Sequence, residues 1–122
     1  MNDPIIRILL VDDEPDFLLL MSRTLEREGY EIATCMNGEN IGRVIQENPP
    51  DMILLDITME NVDGREICRA IKQDPATRHI RVILFSSNHD LAFIAKECGA
   101  DGSLGKPYDK QMTRQVFQQV LH

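Results

Sequence analysis

Five strand-like stretches recur along the chain, each followed by a segment of helical periodicity, and this strict alternation leaves few folds open to it. "IIRILLV" (5–11) is almost wholly apolar and β-branched at several positions, as a strand covered on both faces should be. In "PDFLLLMSRTLEREG" (15–29), Pro15 suits a first helical turn and Gly29 suits the stop just past the end. "YEIATC" (30–35) predicts a short, more polar strand nearer a sheet edge. "ENIGRVIQE" (39–47) predicts a short helix closed by Asn48, Pro49 and Pro50. "DMILLD" (51–56) is a second buried strand, and "DGREICRAIKQ" (63–73) a helix with Asp63 as N-cap and Glu66 as its capping-box partner. "IRVILFS" (80–86) is a third buried strand, followed by "DLAFIAKEC" with Gly99 as its stop. "GSLG" (102–105) makes a short last strand, and "DKQMTRQVFQQVL" (109–121) an amphipathic final helix. Alternation at this spacing implies a parallel sheet with helices on both faces. Right-handed crossovers restrict it to a doubly wound α/β sheet of five strands and five helices.

The bulk properties exclude several classes. A length of 122 residues suits one domain with a real core, expected to span residues 1–122. No apolar run approaches the roughly 20 residues needed to cross a bilayer, so no membrane partner is expected. "MNDPIIRILL" lacks a basic region before its apolar stretch and reads as a first strand, not as a signal peptide. Three widely spaced cysteines, Cys35, Cys68 and Cys98, fall in apolar surroundings; they predict reduced core thiols and a cytoplasmic protein. The net charge of −7 argues against direct nucleic-acid binding, which relies on neutralising phosphates with Lys and Arg.

In an open α/β sheet, ligands bind beyond the carboxyl ends of the strands. The first strand ends in Asp12 and Asp13, inside the acidic run "DDEPD", and the third ends in Asp56. The fourth ends in Ser86 and Ser87, and the fifth leads into Lys106 and Pro107. Each has an ordinary structural explanation taken singly. Asp12 and Asp13 suit a cap for the first helix, Asp56 a turn, Ser86 a cap for the following helix, and Lys106 a solvated surface. Those explanations do not account for all of them lying along one edge of one sheet. Two like charges about 4 Å apart repel by about 4 kcal/mol at an effective dielectric of about 20, so such a cluster calls for cations. Hard oxygen donors without a nearby His or Cys point to Mg²⁺ or Mn²⁺. His79, His89 and His122 lack metal-ligand spacing. A divalent ion, Lys106 and a hydroxyl would cradle a phosphoryl group, with Asp56 as the best candidate nucleophile.

The motifs "VDDEP" (11–15), "ILLDITMENVDG" (53–64), "ILFSS" (83–87) and "GADGSLGKPY" (99–108), in this order and spacing, resemble the receiver domain of two-component response regulators along the whole chain. That resemblance implies a flavodoxin-like sheet of order 2-1-3-4-5. It implies phosphorylation of Asp56 by a histidine kinase or phosphotransfer protein, with Mg²⁺ held by Asp13, Asp56 and the backbone carbonyl of Thr58, and by Asp12 mostly through water. Lys106 would pair with the phosphoryl oxygens, and Ser86 would move to bond them, signalling to a downstream protein target or effector domain. It further implies a cis Lys106–Pro107 bond, self-catalysed phosphorylation and dephosphorylation without a separate enzymatic activity, and allows a dimer formed on phosphorylation. Three positions depart from the family pattern. Glu60 stands where proline is usual after Met59. Thr58 and Asn88 occupy positions that tune phosphoryl lifetime, and Ser103 stands where an aromatic switch residue is usual.

Rival readings are weaker. A phosphorylation-independent pseudo-receiver is the main alternative, and the presence of Asp12, Asp13, Asp56, Ser86 and Lys106 together weighs against it. A phosphatase of the haloacid-dehalogenase type places a second aspartate two residues after its nucleophile, where this chain has Thr58. A flavin carrier expects a phosphate cradle where this chain has an acidic loop, and no Walker or dinucleotide glycine motif is present.

Overall fold

The computed structural model describes residues 4–59, 62–105 and 110–121. Its strands are β1 (Arg7–Val11), β2 (Glu31–Cys35), β3 (Met52–Asp56), β4 (Arg81–Ser86) and β5 (Gly102–Gly105). Its helices are α1 (Pro15–Arg27), α2 (Ile41–Glu47), α3 (Gly64–Gln73), α4 (Leu91–Cys98) and α5 (Lys110–Leu121), with a 3-10 turn over Gly38–Asn40 before α2. All strand pairs are parallel, and the order is β2-β1-β3-β4-β5. The fold expected from the sequence is the fold observed, with polar β2 at an edge.

The continuous apolar runs have a simple cause. Side chains alternate across a strand, and here both faces are covered. Leu9, Val11, Ile53, Leu55, Val82 and Leu84 join a core roofed by α2, α3 and α4. Ile8, Leu10, Met52, Leu54, Ile83 and Phe85 join the opposite core, beneath α1 and α5. Burying each such side chain contributes about 1.5–3 kcal/mol. The central strands therefore have little freedom to shift register, and their carboxyl ends form a rigid edge.

The boundaries differ from expectation in small ways. β1 starts at Arg7, and Ile5 is left exposed because pairing with β2 begins at Arg7↔Glu31. Tyr30 precedes β2; its ring meets Phe117 edge-to-face at 5.8 Å. The 39–47 segment opens as 3-10 and becomes α-helical only at Ile41. Asp63 caps α3 by accepting from the Arg65 N–H, but Glu66 accepts from Arg69 at 2.6 Å instead of completing a capping box. Cys35, Cys68 and Cys98 are all buried free thiols. Among the described residues, no helix is long and apolar enough to cross a membrane. Lys106, the Lys106–Pro107 bond and Glu60 lie outside the described residues.

Candidate functional site

Parallel register carries the acidic residues to one place. Val11 pairs with Leu55, so the residues that follow, Asp12 and Asp56, leave adjacent strands side by side. Asp56 pairs with Phe85, which places Ser86 at the end of the next strand, and Ser86 pairs with Gly105. The last residue of β5 thus sits at the same edge, immediately before Lys106.

The carboxylates of Asp12, Asp13 and Asp56 each offer an oxygen within 4.8 Å of the others. Asp12 is 1% exposed and Asp56 3%, so this charge is held largely away from water. Removing carboxylates from water is costly unless they are paired or coordinate a cation. No other trio of His, Cys, Asp or Glu comes together in this way among the described residues. The donor set is all oxygen, which fits a hard divalent ion such as Mg²⁺ or Mn²⁺ and does not fit zinc.

The helix-cap explanation for Asp12 and Asp13 does not hold. The N-cap of α1 is Glu14, in extended conformation and without a side-chain cap bond, followed by Pro15, which has no N–H to satisfy. Asp12 Oδ1 instead accepts from the Glu14 N–H at 2.9 Å, closing the turn that carries its own carboxylate. Asp56 does the same on β3. Its Oδ1 accepts from the Thr58 N–H at 2.9 Å and from the Thr58 hydroxyl at 2.8 Å. Ser86, fully buried, accepts at Oγ from the Asn88 N–H at 3.1 Å, and Asn88 Oδ1 accepts from the Asp90 N–H. Ser86 therefore does not cap α4, whose N-cap is Asp90.

One feature was not anticipated from the sequence: the grip of the Thr58 side chain and N–H on Asp56, beyond the carbonyl role the resemblance implies. A signal for it exists, since Asp and Ser side chains commonly bond the backbone two residues on. The spacing Asp12–Glu14, Asp56–Thr58 and Ser86–Asn88 is that pattern repeated three times along one edge. Ser103 lies opposite Leu84 on β5, half-buried.

The model of the response regulator receiver domain matches residues 8–118. The response regulator PleD of Caulobacter vibrioides is 39% identical over 108 residues, covering 87% of this chain and 24% of PleD. The alkaline phosphatase synthesis transcriptional regulatory protein PhoP of Bacillus subtilis is 31% identical, covering 94% of this chain and 48% of PhoP. The signal receiver domain of a signal transduction histidine kinase from Syntrophus aciditrophicus superposes with a TM-score of 0.84 at 32% identity, covering 94% of this chain and 89% of that one. This chain thus spans about a quarter of PleD and about half of PhoP.

Proposed function

Because this chain belongs to the response regulator receiver domain family of two-component systems, we propose that Asp56 is its phosphoacceptor. The observation that carries this reading is the convergence of Asp12, Asp13 and Asp56 at the carboxyl edge of β1 and β3. Residues 1–122 act as a single receiver domain, a signalling element working in the cytoplasm. The donor is a histidine kinase or phosphotransfer protein, and the reader is a downstream protein target or an effector domain.

In the reaction, a carboxylate oxygen of Asp56 attacks the donor phosphorus as the bond to the leaving group breaks. That group is a histidine nitrogen in a kinase or an acetate oxygen in acetyl phosphate. Asp12, Asp13, Asp56 and the Thr58 carbonyl would hold Mg²⁺. When bound, the ion supplies positive charge against the carboxylates and the arriving phosphoryl oxygens. Thr58 keeps Oδ1 oriented through two donated hydrogen bonds, so the attacking carboxylate is presented in one rotamer. Lys106 pairs with the phosphoryl oxygens. Ser86 has its hydroxyl proton to donate to one of them, while its oxygen now accepts from Asn88. The same site admits the water that later hydrolyses the acyl phosphate.

Incubation with acetyl phosphate, followed by intact mass, tests the assignment. The wild-type chain should gain one phosphoryl group with Mg²⁺ and none after chelation. Asp56→Ala should gain none, and Asp13→Ala should lose both Mg²⁺ binding and labelling. An unchanged gain in Asp56→Ala would refute the nucleophile, and no gain in the wild type would favour a phosphorylation-independent interaction module.

A further inference from the structure

Helix α3 begins closer to the acceptor strand than any side chain would permit. A Cβ on Gly64 would lie 2.7 Å from the Asp56 carbonyl oxygen, 2.7 Å from the Ile57 Cα and 3.3 Å from the Asp56 carbonyl carbon. All three are backbone atoms, so no rotamer change relieves the contact. The described glycines with positive φ are Gly29 and Gly99, so what Gly64 provides is space and not an unusual backbone conformation. Asp63 holds the helix in this seat by accepting from the Arg65 N–H at 2.9 Å. The same stretch of backbone is tied from the other side, where the Ile57 N–H donates to the Phe85 carbonyl at 3.3 Å.

We infer that Gly64 is a positioning residue for the phosphoacceptor. By letting the first turn of α3 close on the Asp56–Ile57 backbone, it fixes the Asp56 carboxylate relative to Asp12 and Asp13. Any larger residue must push either α3 or the acceptor strand out of place. The inference rests on the reading of Asp56 as the acceptor, and it adds a residue that touches neither cation nor phosphate.

The comparison is between wild type, Gly64→Ala and Gly102→Ala. A Cβ at Gly102 meets the Val120 side chain at 2.9 Å, so that variant has a similarly close contact with a movable group, at the far end of the sheet. Gly64→Ala should slow labelling at saturating acetyl phosphate and Mg²⁺ by about 10- to 100-fold. It should also weaken Mg²⁺ affinity and speed amide exchange at Ile57 and Thr58. Gly102→Ala should keep the wild-type values of all three, whatever its melting temperature. Wild-type rate, Mg²⁺ affinity and exchange in folded Gly64→Ala would overturn the inference.

If Gly64→Ala does not fold, Asp63→Ala loosens the same seat by removing the cap together with the exposed Arg65 pair at 3.3 Å. Asp63→Asn retains a capping oxygen. The alanine variant should slow labelling and the asparagine variant should restore it; equal rates in the two would overturn the inference. Should the wild type accept no phosphoryl group, the reading of Asp56 fails separately. Mg²⁺ titration and amide exchange then still decide whether Gly64 sets the carboxylate.

Discussion

The thiol of Cys68 lies between α3 and α4 with no exposure, its sulfur 3.6 Å from the Cys98 carbonyl oxygen. Burial, and secondarily Cys98, pushes its pKa from an ordinary 9.0 up to about 12, with Lys72 acting weakly the other way. The folded state thus keeps a proton that the unfolded chain releases first. Below pH 9 the shift costs nothing; as pH rises from there towards 12, stability falls by about 1.4 kcal/mol per unit. Urea midpoints measured at about pH 8 and pH 10 should show wild type losing more than Cys68→Ala over that interval. An equal loss would remove Cys68 from the alkaline limb. The core role of this cysteine was readable from its apolar neighbours, because packing follows local hydrophobicity. The role of Asp12 was not: an acidic residue before a helix can equally cap it or face a ligand. Only the position of Glu14 as N-cap separates the two.

Lys72 joins three elements. From α3 its ammonium donates to the carbonyls of Arg78 and Ile80, just before β4, and to Asp101 Oδ2, just before β5, all at 2.9 Å. The same Asp101 oxygen accepts from the Val82 N–H. With side-chain exposures of 15% and 24%, the pair is shielded enough to matter, unlike the solvated Arg43–Glu47 pair on α2. Lys72→Met leaves Asp101 with only its bond from the Val82 N–H and removes the ammonium from two carbonyls, and should lower unfolding free energy by about 2–4 kcal/mol in urea titration. Mg²⁺ affinity should not change, since the clamp lies at the end of the sheet away from Asp56. A loss below about 0.5 kcal/mol would class it with ordinary surface pairs. Nothing in "AIKQDPATRHIRV" announces this clamp, because its partners meet only once β4 and β5 are paired. The helices themselves were readable, since Pro15, Gly29, Asp63 and Gly99 act locally. The capping box was not, because Arg69 competes for Glu66 one turn on.

Across the whole sheet, alternation of apolar strands and periodic helices was enough to foresee a parallel, doubly wound sheet, while the strand order came from the motif resemblance. The atomic arrangement of the edge was not foreseeable, since it depends on registers such as Val11↔Leu55 that no local pattern encodes. On the proposed function, Ser103 would shape how a change at that edge spreads. It is half-buried opposite Leu84 and too small to occupy the space beside β5 that an inward-moving Ser86 would vacate. Amide exchange with and without beryllofluoride, a phosphoryl mimic, should therefore show its main changes in loops 57–63 and 86–91 and in α4. Changes confined to residues 100–108 would contradict this route.

The meeting of Asp12, Asp13 and Asp56 exists only while β1 and β3 are paired, for the unfolded chain scatters the three carboxylates. An ion held there binds the native state and not the denatured one. Folding and occupancy then become linked equilibria, and about a hundredfold excess of ion over its dissociation constant adds about 2.7 kcal/mol to stability. On the proposed reading, filling this edge with a divalent ion would strengthen the fold, so the free ion concentration would act as a thermodynamic ballast for the domain.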